Sequence, residues 1–210
     1  MLLWLAEDCQ RLRCDRAVLG LSIVNCDSCR QTFRTERRVY AVRVTYRVEF
    51  VMDKLAIFVD VQNVFYTVKD SFGCHFNYTE FWDEVTEGRE VVHAFAYAID
   101  RQDPKQAGFQ QILRNIGFEV KLKPFIQRRD GSAKGDWDVG ITLDMIEVAP
   151  NIDVAVLVSG DGDFDLVVNR LRDSYSADVE VYGARKLTAA SLIQAATRFI
   201  PIEGRLLLSR

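Results

Sequence analysis

One stretch of this 210-residue chain restricts its fold more than any other: DVAVLVSGDGDFDLVVNRL, from Asp153 to Leu171. Val154, Ala155, Val156, Leu157 and Val158 form an unbroken apolar run, which reads as a strand buried on both faces, as in a parallel sheet. Phe164, Val168, Leu171 and Tyr175 then recur at helical spacing. Between the two patterns lie Ser159, Asp161, Asp163 and Asp165, where a central strand hands over to a helix. In open α/β sheets that carboxyl edge is where ligands bind. Clustered carboxylates repel one another, so they persist when solvated, when capping a helix, or when a cation neutralises them.

From Leu55 onward the chain alternates strand and helix. LAIFV, Leu55–Val59, is a buried strand ending in Asp60, and Asn63 stands where a helix starts. Thr79 is the expected cap of a second helical piece holding Phe81, Trp82 and Val85. Val91–Ile99 is a long apolar run containing His93. Pro104 suits the first turn of a helix that Gly117 stops. Phe118–Leu122 is a third strand, followed by a polar loop from Gln127 to Gly135 that carries Arg128, Arg129 and Lys134. Trp137–Ala149 is helical, with Val139, Leu143 and Ile146 on one stripe. Val179–Tyr182 is a fifth strand, and Thr188–Phe199 a last helix ended by Pro201. Five short strands separated by helices predict a three-layer α/β/α sandwich around a central, mainly parallel five-stranded sheet.

Residues 1–51 differ from the rest. They hold nine Arg, no Lys and six acidic residues, a net +3 that leaves −6 for the remainder. Cys9, Cys14, Cys26 and Cys29 also lie there. Paired thiolates invite a structural zinc reading. Only the Cys26–Cys29 pair has suitable spacing, however, and no glycine knuckle surrounds it. The favoured reading is an extension outside the folded domain, with Val39–Val51 alternating like a strand. Expected boundaries are 1–51 for the extension, 52–203 for the domain and 204–210 for a C-terminal tail. A net charge of −3 excludes a non-specific basic binder of nucleic acid but not a local groove or a metal-bridged phosphate contact. The apolar runs are too short to span a bilayer, and no small-x-small cleavage site follows Ala17–Val24. The expectation is a cytoplasmic protein with no membrane partner.

Three acidic groups fall at adjacent places in this pattern. Asp60 follows the first strand, Asp161 and Asp163 follow the fourth, and Asp136 and Asp138 open the helix between strands three and four. If strands one and four are neighbours, these carboxylates meet at one edge. Oxygen donors of this kind suit Mg²⁺ or Mn²⁺, and such an ion can activate water and stabilise charge on a phosphoryl oxygen. Competing chemistries are poorly supported. With only two histidines, His75 lacking an evident partner and His93 inside an apolar strand, a Ser-His-Asp triad or a His-rich zinc site is disfavoured. Cys74 reads as core rather than nucleophile. A calcium loop fails because Leu166 stands where the turn glycine is needed and Arg172 where the bidentate Glu is needed. No GxxxxGK[ST] or GxGxxG motif occurs.

Bland roles compete for each acid. Asp136 is a plausible helix cap, and Asp138 and Asp165 would each be favoured in a first helical turn. Asn63 is a plausible cap whose amide could also hold a phosphate or a water. Asp163 is a candidate cap of the helix after strand four, and Asp144 and Asp153 read as solvated. Asp60 and Asp161 are hardest to explain structurally, because each closes a buried strand at the ligand edge.

FVDVQN after strand one, KGDWDVGITLDM opening a helix and VLVSGDGDFDLVVNRL closing strand four occur in order. Together with VEVYG, this series resembles the NYN domain of the PIN-like nuclease superfamily, in its LabA-like branch, over Lys54–Ile202. The resemblance implies a Rossmann-like PIN fold and a metal-dependent ribonuclease. It assigns metal and catalytic roles to Asp60, Asp138, Asp161 and Asp163, held by Mg²⁺ or Mn²⁺, with Asn63 as companion amide and Ser159 beside them. Asp165 is additional to the pattern. Arg128, Arg129 and Lys134 are candidate phosphate contacts, with solvated surface charge as the alternative. The implied partner is single-stranded RNA, and homodimerisation stays open. Two other classes remain: a non-catalytic RNA-binding or regulatory module, and a nucleotide phosphohydrolase.

Overall fold

The computed structural model of the chain describes residues 33–35, 38–40, 52–100, 103–124, 126–127, 133–134 and 136–208. Met1–Met52 and Asp53–Arg210 are two separate compact units. In the first, β1 (Phe33–Thr35) and β2 (Arg38–Tyr40) pair antiparallel, with Phe33 opposite Tyr40. Most of the expected strand-like stretch Val39–Val51, and all four cysteines of this segment, lie outside the described residues.

The second unit begins with β3 (Lys54–Asp60), α1 (Val61–Phe72), α2 (Tyr78–Thr86) and β4 (Glu90–Asp100). It continues through α3 (Pro104–Ile116), β5 (Glu119–Pro124) and a small antiparallel pair, β6 (Ile126–Gln127) with β7 (Ala133–Lys134). Then follow α4 (Asp138–Val148), β8 (Val154–Val158), α5 (Asp165–Tyr175), β9 (Asp178–Gly183), α6 (Ala190–Ala195) and β10 (Arg198–Pro201). The sheet order is β10-β9-β8-β3-β4-β5, with every pairing parallel. The chain therefore builds outward from β3 in one direction and then from β8 in the other. The seam between β3 and β8 is the topological switch point of a doubly wound sheet, where a crevice opens at the carboxyl ends.

The apolar runs explain why this seam is central. Leu55–Val59 are all 0% exposed, as a strand covered on both faces must be. Alternate residues serve opposite layers. Leu55, Ile57 and Val59 pack with Val64 and Val68 of α1, Phe81 and Val85 of α2, and Leu113 of α3. Ala56 and Phe58 pack with Ile141 and Met145 of α4, Val168 and Leu171 of α5, and Leu192 of α6. Each such large side chain contributes about 1.5–3 kcal/mol of burial free energy. Register then places the site: Val59 lies opposite Val158, so Asp60 and Ser159 emerge side by side at the carboxyl edge.

Several local expectations are corrected. The sheet has six strands, not five, because Arg198–Pro201 pairs with β9 instead of extending a helix. Helix α6 stops at Ala195, and the Thr197 N–H donates to the Val179 carbonyl, which begins the ladder. Pro201 is tolerated there because β10 is an edge strand. The buried stripe of α4 is Ile141, Met145 and Val148, while Val139 and Leu143 are 70% and 62% exposed. Asn77, not Thr79, caps α2 by accepting from the Glu80 N–H at 3.3 Å. Among the described residues after Gly204, Leu206 is buried, Leu207 is bridged to Phe76, and the Leu208 N–H donates to the His75 carbonyl. Among the described residues no helix is long and apolar enough to cross a membrane.

Candidate functional site

Asp60 ends β3 and caps α1, its Oδ1 accepting from the Asn63 N–H at 3.0 Å. Asn63 in turn accepts from the Gly160 N–H through its own Oδ1 at 2.9 Å, joining the ends of β3 and β8 across the seam. One lone pair of the Asn63 oxygen is thereby taken, and its amide N–H groups remain as donors, which suit a phosphoryl oxygen or a water. Gly160 is required by close approach: a Cβ there would stand 2.6 Å from the Leu187 carbonyl oxygen.

Ser159 is fully buried, and its Oγ accepts from the Asp161 N–H at 3.2 Å. It therefore shapes the loop from beneath. Asp161 Oδ1 accepts from the Asp163 N–H at 3.1 Å and caps the 3₁₀ turn Gly162–Phe164 that leads into α5. The cap is thus Asp161, not the expected Asp163, because the 3₁₀ turn starts the helical segment three residues before α5. Asp163 is exposed and Asp165, half-buried, opens α5.

Asp138 is the first residue of α4, and Trp137 fixes where that helix begins. Its indole N–H donates to the Ala98 carbonyl at 2.9 Å, and its ring lies 5.2 Å from Tyr97. Gly140 leaves the room the indole occupies, since a Cβ would stand 2.7 Å from it. Lys123 Nζ lies 4.2 Å from the same ring and donates to the Asp136 carbonyl at 2.9 Å. Asp136 is not the cap expected of it; Trp137 holds that position without a side-chain hydrogen bond. Nor is Asp144 merely solvated, because it accepts from the Tyr97 hydroxyl and from Lys121, each at 2.7 Å. Asp153 is exposed but accepts from the Lys54 N–H at 2.9 Å.

The electrostatics show which acids share one environment. Asp60 is only 7% exposed, and burial raises its pKa from 3.8 to about 6; the charges of Asp138 and Asp161 push the same way, against the Asn63 N–H. Asp138 is also raised, first by burial and then by Asp161, Asp136 and Asp163, with Lys123 opposing. Tyr78 is raised by burial and by the charge of Asp60. Asp60, Asp138, Asp161 and Asp163 therefore act on one another at a single edge. Yet among the described residues no three carboxylate, imidazole or thiolate groups lie close enough to coordinate one ion together. The donor set fits a hard cation held by one or two carboxylates, with waters completing its shell, which is how Mg²⁺ is ordinarily bound.

Of the expected phosphate contacts, Arg128 and Arg129 lie outside the described residues, and Lys134 is described only as backbone in β7. Sequence reasoning passed over the exposed Arg185 and Lys186, in the turn after β9 whose Leu187 carbonyl abuts Gly160. Their position, just past the end of a buried strand, was the available signal. His93 is half-buried and stacks on Phe95, while His75 is exposed and stacks on Phe65. Cys74 is half-buried against the core.

Fold and edge define a class: a doubly wound α/β domain whose switch-point edge gathers aspartates from both halves of the sheet. The chain belongs to the NYN domain family, whose profile matches residues 54–203. It is 30% identical over 165 residues to the Low amplitude and bright protein LabA of Synechococcus elongatus, covering 73% of this chain and 86% of that protein. Among solved structures it is similar to a protein of unknown function from Vibrio parahaemolyticus. That match has 56% identity and a TM-score of 0.72, and covers 75% of this chain and 97% of the other. The LabA-like resemblance and the parallel α/β architecture read from the sequence are both borne out.

Proposed function

We propose that this chain is a cytoplasmic, divalent-metal-dependent ribonuclease that hydrolyses phosphodiester bonds of single-stranded RNA. The observation carrying this reading is the buried Asp60, whose pKa is raised to about 6 beside Asp138 and Asp161. Burying unbalanced carboxylates together costs stability, and a cation at the crevice removes that cost. Family membership supports the same chemistry.

In this proposal Asp60, Asp138, Asp161 and Asp163 are the residues that would hold Mg²⁺ or Mn²⁺. When bound, the ion would supply an activated water and charge neutralisation at the phosphoryl oxygen. The amide N–H groups of Asn63 orient the scissile phosphate, its side chain being fixed by the bond from Gly160. In the net hydrolysis the water oxygen bonds to phosphorus as the P–O bond to the departing ribose oxygen breaks, and the proton lost by the water ends on that ribose oxygen. Buried Ser159 holds the Asp161 loop, and Trp137 holds Asp138 at the start of α4.

Labelled single-stranded RNA incubated with Mn²⁺ is expected to be cut, and EDTA to abolish cutting; uncut RNA with purified, folded protein would reject the reading. A second reading is a regulatory RNA-binding module without efficient catalysis, favoured by the absence of three converging ligands among the described residues. It predicts that Mn²⁺ raises the melting temperature while RNA stays intact. Trp137→Phe keeps an aromatic ring but loses the bond to Ala98. It is expected to lower kcat/KM roughly 10-fold or more, as outer-shell changes at metal sites do, with KM nearly unchanged.

A further inference from the structure

Beyond Asn63, helix α1 presents a face that its core packing does not use. Val61, Val64 and Val68 are buried, whereas Phe65 is 42% and Tyr66 52% exposed. Phe65 is held in place. The His75 ring stacks on it at 5.8 Å and 23°, Tyr66 meets it edge-on at 5.3 Å, and Lys69 Nζ lies 5.4 Å from its centroid. Tyr66 makes no other ring contact among the described residues, so a broad aromatic surface remains open to solvent.

Tyr66 lies one helical turn from both Gln62 and Asn63, on the face that starts at Asn63. At 1.5 Å per residue it is roughly 9 Å along the axis from Asp60. A strand with one phosphodiester at the carboxylates can lay a neighbouring base on that ring. Beside α1 packs the turn Arg185–Leu187. Lys69, Arg185 and Lys186 form no ion pair among the described residues, although the Arg185 guanidinium lies 5.0 Å from the Phe199 ring centroid. On a chain whose residues after 51 carry −6, these cations at the rim complement a phosphate backbone.

We propose that Tyr66, braced by Phe65 and flanked by Lys69, Arg185 and Lys186, is a stacking platform for an unpaired base of RNA bound at the carboxylate edge. This rests on the part of the reading above that places RNA at the carboxylate edge, and adds the surface that selects single strands. Stacking reads the π-face that every base shares, so binding tolerates sequence, whereas a base inside a duplex cannot reach the ring. Asp70, one turn beyond Tyr66, marks where an anionic backbone must leave the helix.

The test is anisotropy of a short fluorescein-labelled single-stranded RNA titrated with the full chain, with Ca²⁺ replacing Mn²⁺. Tyr66→Ala is expected to weaken binding about 10-fold, the scale of one lost base stack. Tyr66→Phe keeps the ring and is expected to bind within about 2-fold of the parent. The annealed duplex is expected to bind about 10-fold more weakly than the single strand. Melting curves of each variant check folding. The platform is overturned if Tyr66→Ala binds like the parent, if duplex binds as well as single strand, or if the parent binds no RNA. Cleavage in Mn²⁺, measured in parallel, separates the two proposals. Tyr66-dependent binding without cutting keeps the platform and rejects the ribonuclease. Cutting with kcat/KM unchanged in Tyr66→Ala does the reverse.

Discussion

Asp60→Asn is expected to abolish most activity and yet make the metal-free protein more stable. Removing one charge-bearing group from a crevice of this kind costs roughly 10²–10³-fold in rate. The stability gain follows from linkage. An unfolded Asp60 releases its proton near 3.8, whereas the folded one holds it until about 6. Between those values the folded state binds more protons, so raising the pH from about 4 to about 6 drains stability from the parent protein. At about 1.4 kcal/mol per unit, the deficit above pH 6 is about 2–3 kcal/mol. Asparagine lacks that charge and is as good a helix cap as aspartate, so α1 keeps its start. In EDTA at pH 7.5 the variant should melt roughly 5–10 °C higher than the parent, and the gap should close toward pH 4. Added Mn²⁺ should raise the melting temperature of the parent and not of the variant. A variant that melts lower than the parent at pH 7.5 would refute the electrostatic account.

Gly160→Ala is expected to injure both fold and function from a position that carries no chemistry. The added Cβ would meet the Leu187 carbonyl oxygen at 2.6 Å and the Thr188 Cα at 3.3 Å. Both are backbone atoms, so the turn after β9 or the loop after β8 must move. Overpacking of this sort costs about 1–3 kcal/mol, a fall of several degrees in melting temperature. Two hydrogen bonds depend on the same residue: its N–H to Asn63, and its carbonyl from the Ala189 N–H at 3.0 Å. Displacing Asn63 by even about 1 Å is expected to lower kcat roughly 10²-fold. Stopped-time cleavage assays beside thermal melts test both halves; full activity with an unchanged melting curve would show that the seam tolerates the methyl group.

How far sequence reasoning reached depends on whether a signal was local. Leu55–Val59 and Val154–Val158 were readable as buried parallel strands because nothing polar interrupts them. Once those strands are neighbours, Asp60 and Asp161 must share an edge. Helix α4 misled because Val139, Ile141, Leu143 and Met145 are apolar on more than one side, so periodicity could not choose the core stripe. The sheet chose it, burying Ile141 and Met145. Strand β10 was hidden because a short helix, Ala190–Ala195, precedes it and only pairing with β9 distinguishes Arg198–Pro201 from a helical end. Asp144 looked solvated because its partners, Tyr97 and Lys121, stand 47 and 23 residues away. Asp163 was misjudged as the cap because a 3₁₀ turn, invisible in hydrophobic spacing, lets Asp161 do that work.

The bond from Gly160 to Asn63 spans 97 residues, and that separation has a temporal meaning. A ribosome delivers Asp60 and Asn63 early, then Asp138, and only later Asp161. Until β8 emerges and docks on β3, the crevice has one wall. A chain still lacking β8 therefore lacks the edge that, in the proposed ribonuclease, would act on RNA, the very material of the machine and message producing it. In the proposed ribonuclease, placing Asp161 and Asp163 just after β8 ties any cutting to the docking of that strand on β3.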